Sequence, residues 1–334
     1  MNLERSNDDM TRRNAIVGMT TVGVASWLPK LGFAQSGYPN KPIRLVVPSA
    51  AGGAPDLICR IMANELTQAL GQPIVVDNKP GAGGAIGMQD LAKAAPDGYT
   101  LGYANVVTLA INRSLYNKLS YDPDALTSIA LLGTVQNALV VRKELPVKTV
   151  QELIAYAKAR PGSLSMGSAG NGTTSHLGGE LFKSLAGIYA LHVPYRGSPN
   201  AVQDLIGGNI DFMFDNLSSI GPHIQSGRVR ALGVSGKRRS PMFQALPTIQ
   251  ESGVKGYETT AWGGIVGPKG LGQDIVDKLN TEINRALNKV AVREKYAQMA
   301  FETMASPPNL LMTMAKLETP RWAEIVKRSG AKVE

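Results

Sequence analysis

Few side chains in this sequence are suited to chemistry. His176, His192 and His223 lie 16 and 31 residues apart, and Cys59 stands alone. A structural zinc site needs about four Cys or His ligands at close spacing, so no metal centre is expected. A single cysteine has no partner for an intrachain disulfide. No GxSxG nucleophile elbow occurs, and Gly236-Lys237 runs on into Arg238 rather than completing a phosphate loop. Gly81-x-Gly83-x-x-x-Gly87 falls short of a dinucleotide fingerprint, because the next strand ends Tyr103-Ala104-Asn105 with no carboxylate for a ribose. No catalytic residue, metal or cofactor is therefore expected. What remains are glycine turns whose backbone N–H groups can face an anion.

The richest of these turns is Ser168-Ala169-Gly170-Asn171-Gly172-Thr173-Thr174, small, polar and full of donors suited to a carboxylate. Thr173 or Thr174 is also a natural helix N-cap, a role compatible with binding because the cap is the anion site. The second is Pro48-Ser49-Ala50-Ala51-Gly52-Gly53-Ala54-Pro55-Asp56, where two glycines let a ligand approach the backbone with no Cβ in the way. Asp56 fits either a ligand amine or, more commonly, the dipole of the helix it opens. Gly81-Ala82-Gly83-Gly84 reads as a tight turn and is weak evidence alone.

The elements that must position these turns alternate. Ile43–Val47 reads as a buried strand. A helix follows over residues 55–70 with Pro55 in its first turn, where a missing N–H is harmless. Strand 74–76, a helix near 85–94 and strand 99–104 repeat the pattern. A second series begins at Ala138–Val141 and holds a helix near 150–159, strand 164–168, and a helix near 175–185. Strand 192–193, helix 200–206, strand 210–214 and strand 229–234 complete it. The C-terminal part reads as extended chain at 261–266, a helix over 273–290 striped by Val276, Leu279, Ile283 and Leu287, and a last helix towards Lys327 kinked at Pro320. Strand–turn–helix repeats imply α/β lobes whose turns share one edge of a parallel sheet. The expected architecture is two lobes with two crossovers: residues 35–138 and 258–334 form lobe 1, and residues 139–257 form lobe 2.

Length and composition are those of an ordinary globular protein. The 334 residues are 43% hydrophobic and contain 36 glycines, enough apolar chain for a sizeable core and many turns. Thr11-Arg12-Arg13, an apolar run and Gly32-Phe33-Ala34 form a secretory signal over residues 1–34, by the general or the twin-arginine route. Its apolar run is too short for a comfortable membrane span. Its removal takes away four basic and three acidic side chains and lowers the formal charge from +9 to +8. No basic block exceeds Lys237-Arg238-Arg239, so nucleic acid is not an expected partner. An exported chain without disulfides fits a bacterial periplasm.

Several stretches taken in order resemble the Bug-type extracytoplasmic solute receptors of tripartite tricarboxylate transporters. They include Val47-Pro48-x-Ala50-Ala51-Gly52-Gly53-x-x-Asp56, Val76-Asp77-Asn78-Lys79-Pro80-Gly81-Ala82-Gly83-Gly84, Ser168–Leu177, His192-Val193-Pro194-Tyr195-Arg196-Gly197 and Met213-Phe214-Asp215-Asn216. The resemblance spans the mature chain. It implies a two-lobed periplasmic-binding-protein fold that closes on a small carboxylate, acts as a monomer, performs no catalysis and delivers its cargo to an integral-membrane permease. Carried over residue by residue, it implies ligand contacts from Ala51, Gly52 and Gly53 on one lobe and Ala169, Gly170, Asn171, Gly172 and Thr173 on the other. Asp215 is either a cleft residue selecting amine or hydroxyl groups or an N-cap of the following helix. Ser49 replaces a frequent aromatic and Pro55 a usual small or hydroxyl residue, both beside the binding loop, which bears on the ligand rather than on the fold. The alternatives are a sensor presenting its ligand state to a membrane kinase, and an exported enzyme, for which no convincing nucleophile, acid–base pair or metal set is present.

Overall fold

Strand β1 (Ile43–Val47) is almost wholly buried except at Arg44, whose guanidinium meets Asp77 at 3.1 Å and Asp90 at 2.8 Å. The structure, a computed structural model, describes residues 37–331; the signal expected over 1–34 lies outside them. β1 pairs in parallel with β2 (Ile74–Asn78) on one side and β3 (Thr100–Asn105) on the other. Right-handed crossovers of this kind need helices, supplied by α1 (Ala54–Leu70) and α2 (Ala85–Ala92). Pro55 sits in the first turn of α1, and Gly71 ends it in the left-handed region at φ 67°. After β3 comes a wide π-helical turn, Val107–Ile111, running into α3 (Asn112–Leu115).

The chain then enters β4 (Thr127–Arg142), a 16-residue strand of which only the second half was expected. Its first half, Thr127–Gln136, pairs antiparallel with β9 (Thr260–Gly267), and its second half, Asn137–Arg142, pairs with β7 (Phe212–Asn216) and β8 (Val229–Val234). The first half escapes pattern reading because it is buried on both faces and lacks alternation. The second series runs α4 (Val150–Ala159), β5 (Ser165–Ser168), α5 (Thr174–Ala186), β6 (Leu191–Pro194), α6 (Ser198–Ile206), β7 (Phe212–Asn216), α7 (Leu217–Gln225) and β8 (Val229–Val234). After β9 come α8 (Gln273–Asn288), α9 (Val290–Ala297), β10 (Phe301–Thr303) and α10 (Leu310–Ser329). The expected helix over 273–290 stops at Asn288, where Lys289 takes up extended backbone and a second helix begins. α10 runs on through Pro320 as one helix.

The strand order is β2-β1-β3-β9-β4-β7-β5-β6, with β8 and β10 each added to β4. Pairing is parallel where strands feed the glycine turns (β2-β1-β3 and β7-β5-β6) and antiparallel around β4 and β9. The two lobes thus share the crossing strand β4. At the crossing the buried Ser235 ties both chains together. It receives the Asn137 N–H on its Oγ at 2.9 Å, donates that hydroxyl to Thr259 O at 2.6 Å, and returns its own N–H to Asn137 O at 2.8 Å.

Candidate ligand site between the lobes

A cavity of about 700 Å³ lies where the strand–helix turns of both lobes meet. The turns come together because parallel strands deliver their carboxyl ends to one edge, so the loops after β1, β2, β3, β5, β6 and β7 all face it. Of the residues expected at the site, Gly53, Ala169, Gly170, Asn171, Thr173 and Asp215 line the cavity, while Ala51, Gly52 and Gly172 do not. The Pro80–Gly84 turn, weak evidence by sequence, lines it throughout. Tyr103, Asn105, Val107, Tyr116, Val135, Arg196, Ser198 and Trp262 also line it and had not been singled out; Arg196 and Ser198 lie at or beside a Gly turn, which was the available signal.

Several loop amides are already spoken for. Gly52 donates its N–H to Asp56 Oδ2 at 2.8 Å, and Gly53 donates to Ala50 O at 3.3 Å. Ala169 donates to Ser175 Oγ at 3.3 Å, Gly170 to Ser168 Oγ at 3.2 Å, and Gly172 to His176 Nδ1 at 3.1 Å. The loops are thereby held rigid by their own side chains. Asp56 belongs to this framework: burial would raise its carboxyl, but hydrogen bonds from Arg60 and from the Gly52 N–H outweigh it and hold the group below the usual range. Thr173 caps α5, accepting the His176 N–H at 3.3 Å.

Asp215 ends β7 and is 3% exposed. The hydroxyls of Ser198, at the start of α6, and Ser219, in α7, both donate to its Oδ2. Burial pushes its carboxyl up to about 6 against these bonds and that from the Asn216 N–H. It therefore both braces two helix starts and lines the cavity with an acid that changes charge near neutrality. On the opposite lobe Trp262 is 2% exposed, and its Nε1–H has no hydrogen-bond partner among the described residues.

Behind the Ser168–Thr174 loop the fold stacks His176 on His192, ring centroids 4.0 Å apart and 13° from parallel. His192 Nε2 meets Ser168 Oγ at 2.7 Å. Glu180 lies near His176 and is paired with Lys183 at 2.7 Å. Possible ligand atoms of His176, Glu180 and His192 fall within 4.8 Å of one another, a convergence that the spacing in sequence did not reveal. Each group already has a protein partner, however: Gly172 for His176, Ser168 for His192 and Lys183 for Glu180. Burial first, then the neighbouring His192 and Lys183, lowers His176 to about 3; burial and Lys183 lower His192 to about 4. Both rings are neutral at pH 7, and each accepts or shares a loop hydrogen bond.

The family model described as the tripartite tricarboxylate transporter family receptor matches residues 58–331. The chain belongs to this family. The protein BugT of Bordetella pertussis is 36% identical to this receptor over 330 residues, covering 98% of this chain and 100% of BugT. R. palustris Rpa4515, solved with adipate, superposes with a TM-score of 0.86 at 36% identity, covering 89% of this chain and all of that one. The periplasmic binding protein BugD gives 0.85 at 35% identity with the same coverage. The family consists of solute receptors rather than enzymes.

In this receptor the histidine stack has a measurable role. His176→Phe keeps an aromatic ring but strands the buried Gly172 N–H, which costs about 1–3 kcal/mol. Urea unfolding is expected to show a lowered midpoint with unchanged slope. The wild-type protein is also expected to lose stability as pH falls below about 6.5. There the unfolded imidazoles take up protons that the folded ones, depressed to about 3 and 4, refuse. The variant loses part of that acid sensitivity.

Proposed function

We propose that this protein is a periplasmic receptor that captures a small carboxylate between its lobes and delivers it to an integral-membrane permease. The observation that carries the reading is the convergence of glycine turns from both lobes on one cavity, with Asn171, Thr173 and Ser198 on one side and Gly53 and the Gly81–Gly84 turn on the other. A ligand bridging the two sides binds the closed arrangement better than the open one and draws the equilibrium toward it. A differential of about 3 kcal/mol changes the closed-to-open ratio about 150-fold. Oriented dipoles and hydroxyls can discharge one carboxylate without a dedicated buried arginine. The export signal expected at the N-terminus supports the periplasm as the site of action, and the family's description supports a permease as the recipient.

Calorimetry and thermal melting with mono-, di- and tricarboxylates test capture. At least one is expected to bind and to raise the midpoint, with small-angle scattering showing compaction. If no carboxylate binds or protects, the receptor reading fails. Uptake of the bound compound by cells, lost on deletion of the receptor and restored by it, tests delivery.

A further inference from the structure

The cavity is unevenly furnished, and the unevenness describes its ligand. Among the described residues Arg196 is the only cationic side chain lining it, and it is exposed; Asp215 is the only carboxylate, and it is buried. A buried anion needs a paired cation or hydrogen-bond donors, and each further negative charge repeats that demand. The second lobe presents hydroxyls and amides through Asn171, Thr173 and Ser198. The wall from the first lobe is apolar, built by Pro55, Ile58, Tyr103, Val135 and Trp262. Its side-chain acceptors are engaged locally: Asn105 Oδ1 accepts the N–H groups of Val107 at 3.0 Å and Thr108 at 3.2 Å, while Thr108 Oγ1 accepts the Asn105 N–H at 3.0 Å, and what this side adds through Asn105, Tyr103 and Tyr116 is uncharged. At about 700 Å³ the space falls within the roughly 300–1,000 Å³ of pockets that enclose drug-sized molecules. Ser49 lines it with a small side chain, leaving room on this side.

We propose that the site selects a monocarboxylate with a bulky apolar body, the carboxylate held by the second lobe and the body packed on the Pro55–Ile58–Tyr103–Val135–Trp262 wall. The inference rests on the receptor reading above and narrows it. A second carboxylate on the same skeleton would sit against this wall, where no cation meets it.

Matched pairs test the inference. Calorimetry of the full chain compares hexanoate with adipate, which differ only by the second carboxylate, and benzoate with succinate and citrate. Hexanoate is expected to bind at least tenfold tighter than adipate, and benzoate at least tenfold tighter than succinate or citrate. Ser49→Phe is expected to weaken benzoate and hexanoate at least tenfold with the melting temperature of the unliganded protein unchanged. Adipate, succinate or citrate binding as tightly as their partners overturns the inference and leaves the receptor reading standing. Binding of no carboxylate overturns both. Unchanged hexanoate and benzoate affinities in Ser49→Phe overturn the assignment of the body to this wall.

Discussion

Gly197→Ala is expected to leave the protein folded and to weaken carboxylate binding about a hundredfold. Gly197 precedes α6 in the second lobe at φ 127°, and a Cβ placed on it would lie 2.7 Å from the Cβ of Ala50, in the β1–α1 turn of the first lobe. Real Cβ atoms do not approach that closely, so the lobes must part or the turn must shift. The obstruction exists only when the lobes are apposed, which makes it a penalty on closure; about 2.7 kcal/mol of lost closed-state preference is a hundredfold in affinity. The left-handed backbone adds local strain of about 1–3 kcal/mol, felt with or without ligand. The double variant Gly197→Ala with Ala50→Gly separates the two effects. It removes the opposing methyl and keeps the strain, so affinity is expected to recover while the lowered melting temperature persists. Recovery of neither assigns the loss to the backbone of Gly197 rather than to the lobe contact. Gly172 makes a second close approach, its Cβ position lying 2.1 Å from Leu115 Cδ2 on the first lobe.

Asp215→Asn is expected to remove a pH dependence that the wild-type receptor shows. The wild-type carboxyl, raised to about 6 by burial, is mostly neutral at pH 5.5 and mostly ionised at pH 7.5. An anionic ligand in the same cavity meets no repulsion in the first case and a like charge in the second, so affinity is expected to fall about tenfold across that interval, about 1.4 kcal/mol. The stacked histidines, at about 3 and 4, stay neutral throughout and do not blur the measurement. Asparagine keeps an acceptor for the Ser198 and Ser219 hydroxyls and carries no charge, so its affinity stays flat and exceeds wild type at pH 7.5. Stability follows with its own sign. The folded carboxyl holds a proton that the unfolded one, near 3.8, releases, so the protein loses stability on this account as pH rises from about 4 to about 6. The melting advantage of Asp215→Asn over wild type is therefore expected to be largest above pH 6 and to vanish below pH 4. Calorimetry at three pH values with a carboxylate ionised throughout, beside melting curves, reads both effects.

Much of the framework was legible residue by residue. Pro55 marks the first turn of α1, Gly71 its end, Thr173 the cap of α5, and the stripe Val276–Leu279–Ile283–Leu287 the buried face of α8. These signals act over one or two turns of chain, where backbone geometry and side-chain period determine conformation almost alone. The order of glycine turns likewise marked the edge of the sheet at which a ligand would dock. The first half of β4 was not legible, because a strand buried on both faces carries no alternation.

The chemistry of the cavity was decided at longer range. Asp56 takes the Gly52 amide and His176 that of Gly172 from only four residues on, local contacts inside the quoted motifs, whereas the rest of the lining is assembled across the sheet. His176 meets His192, and Asp215 meets Ser198, only after β5, β6 and β7 bring their ends side by side. Trp262 reaches the cavity from β9, beside the second crossing of the chain between the lobes. By itself the sequence determined an α/β chain with glycine turns at one sheet edge and the family it belongs to, because those rest on local pattern and motif order. Only the tertiary structure decided which acid is raised towards neutrality and which wall is apolar, because desolvation depends on neighbours that the chain contributes from tens to hundreds of residues away.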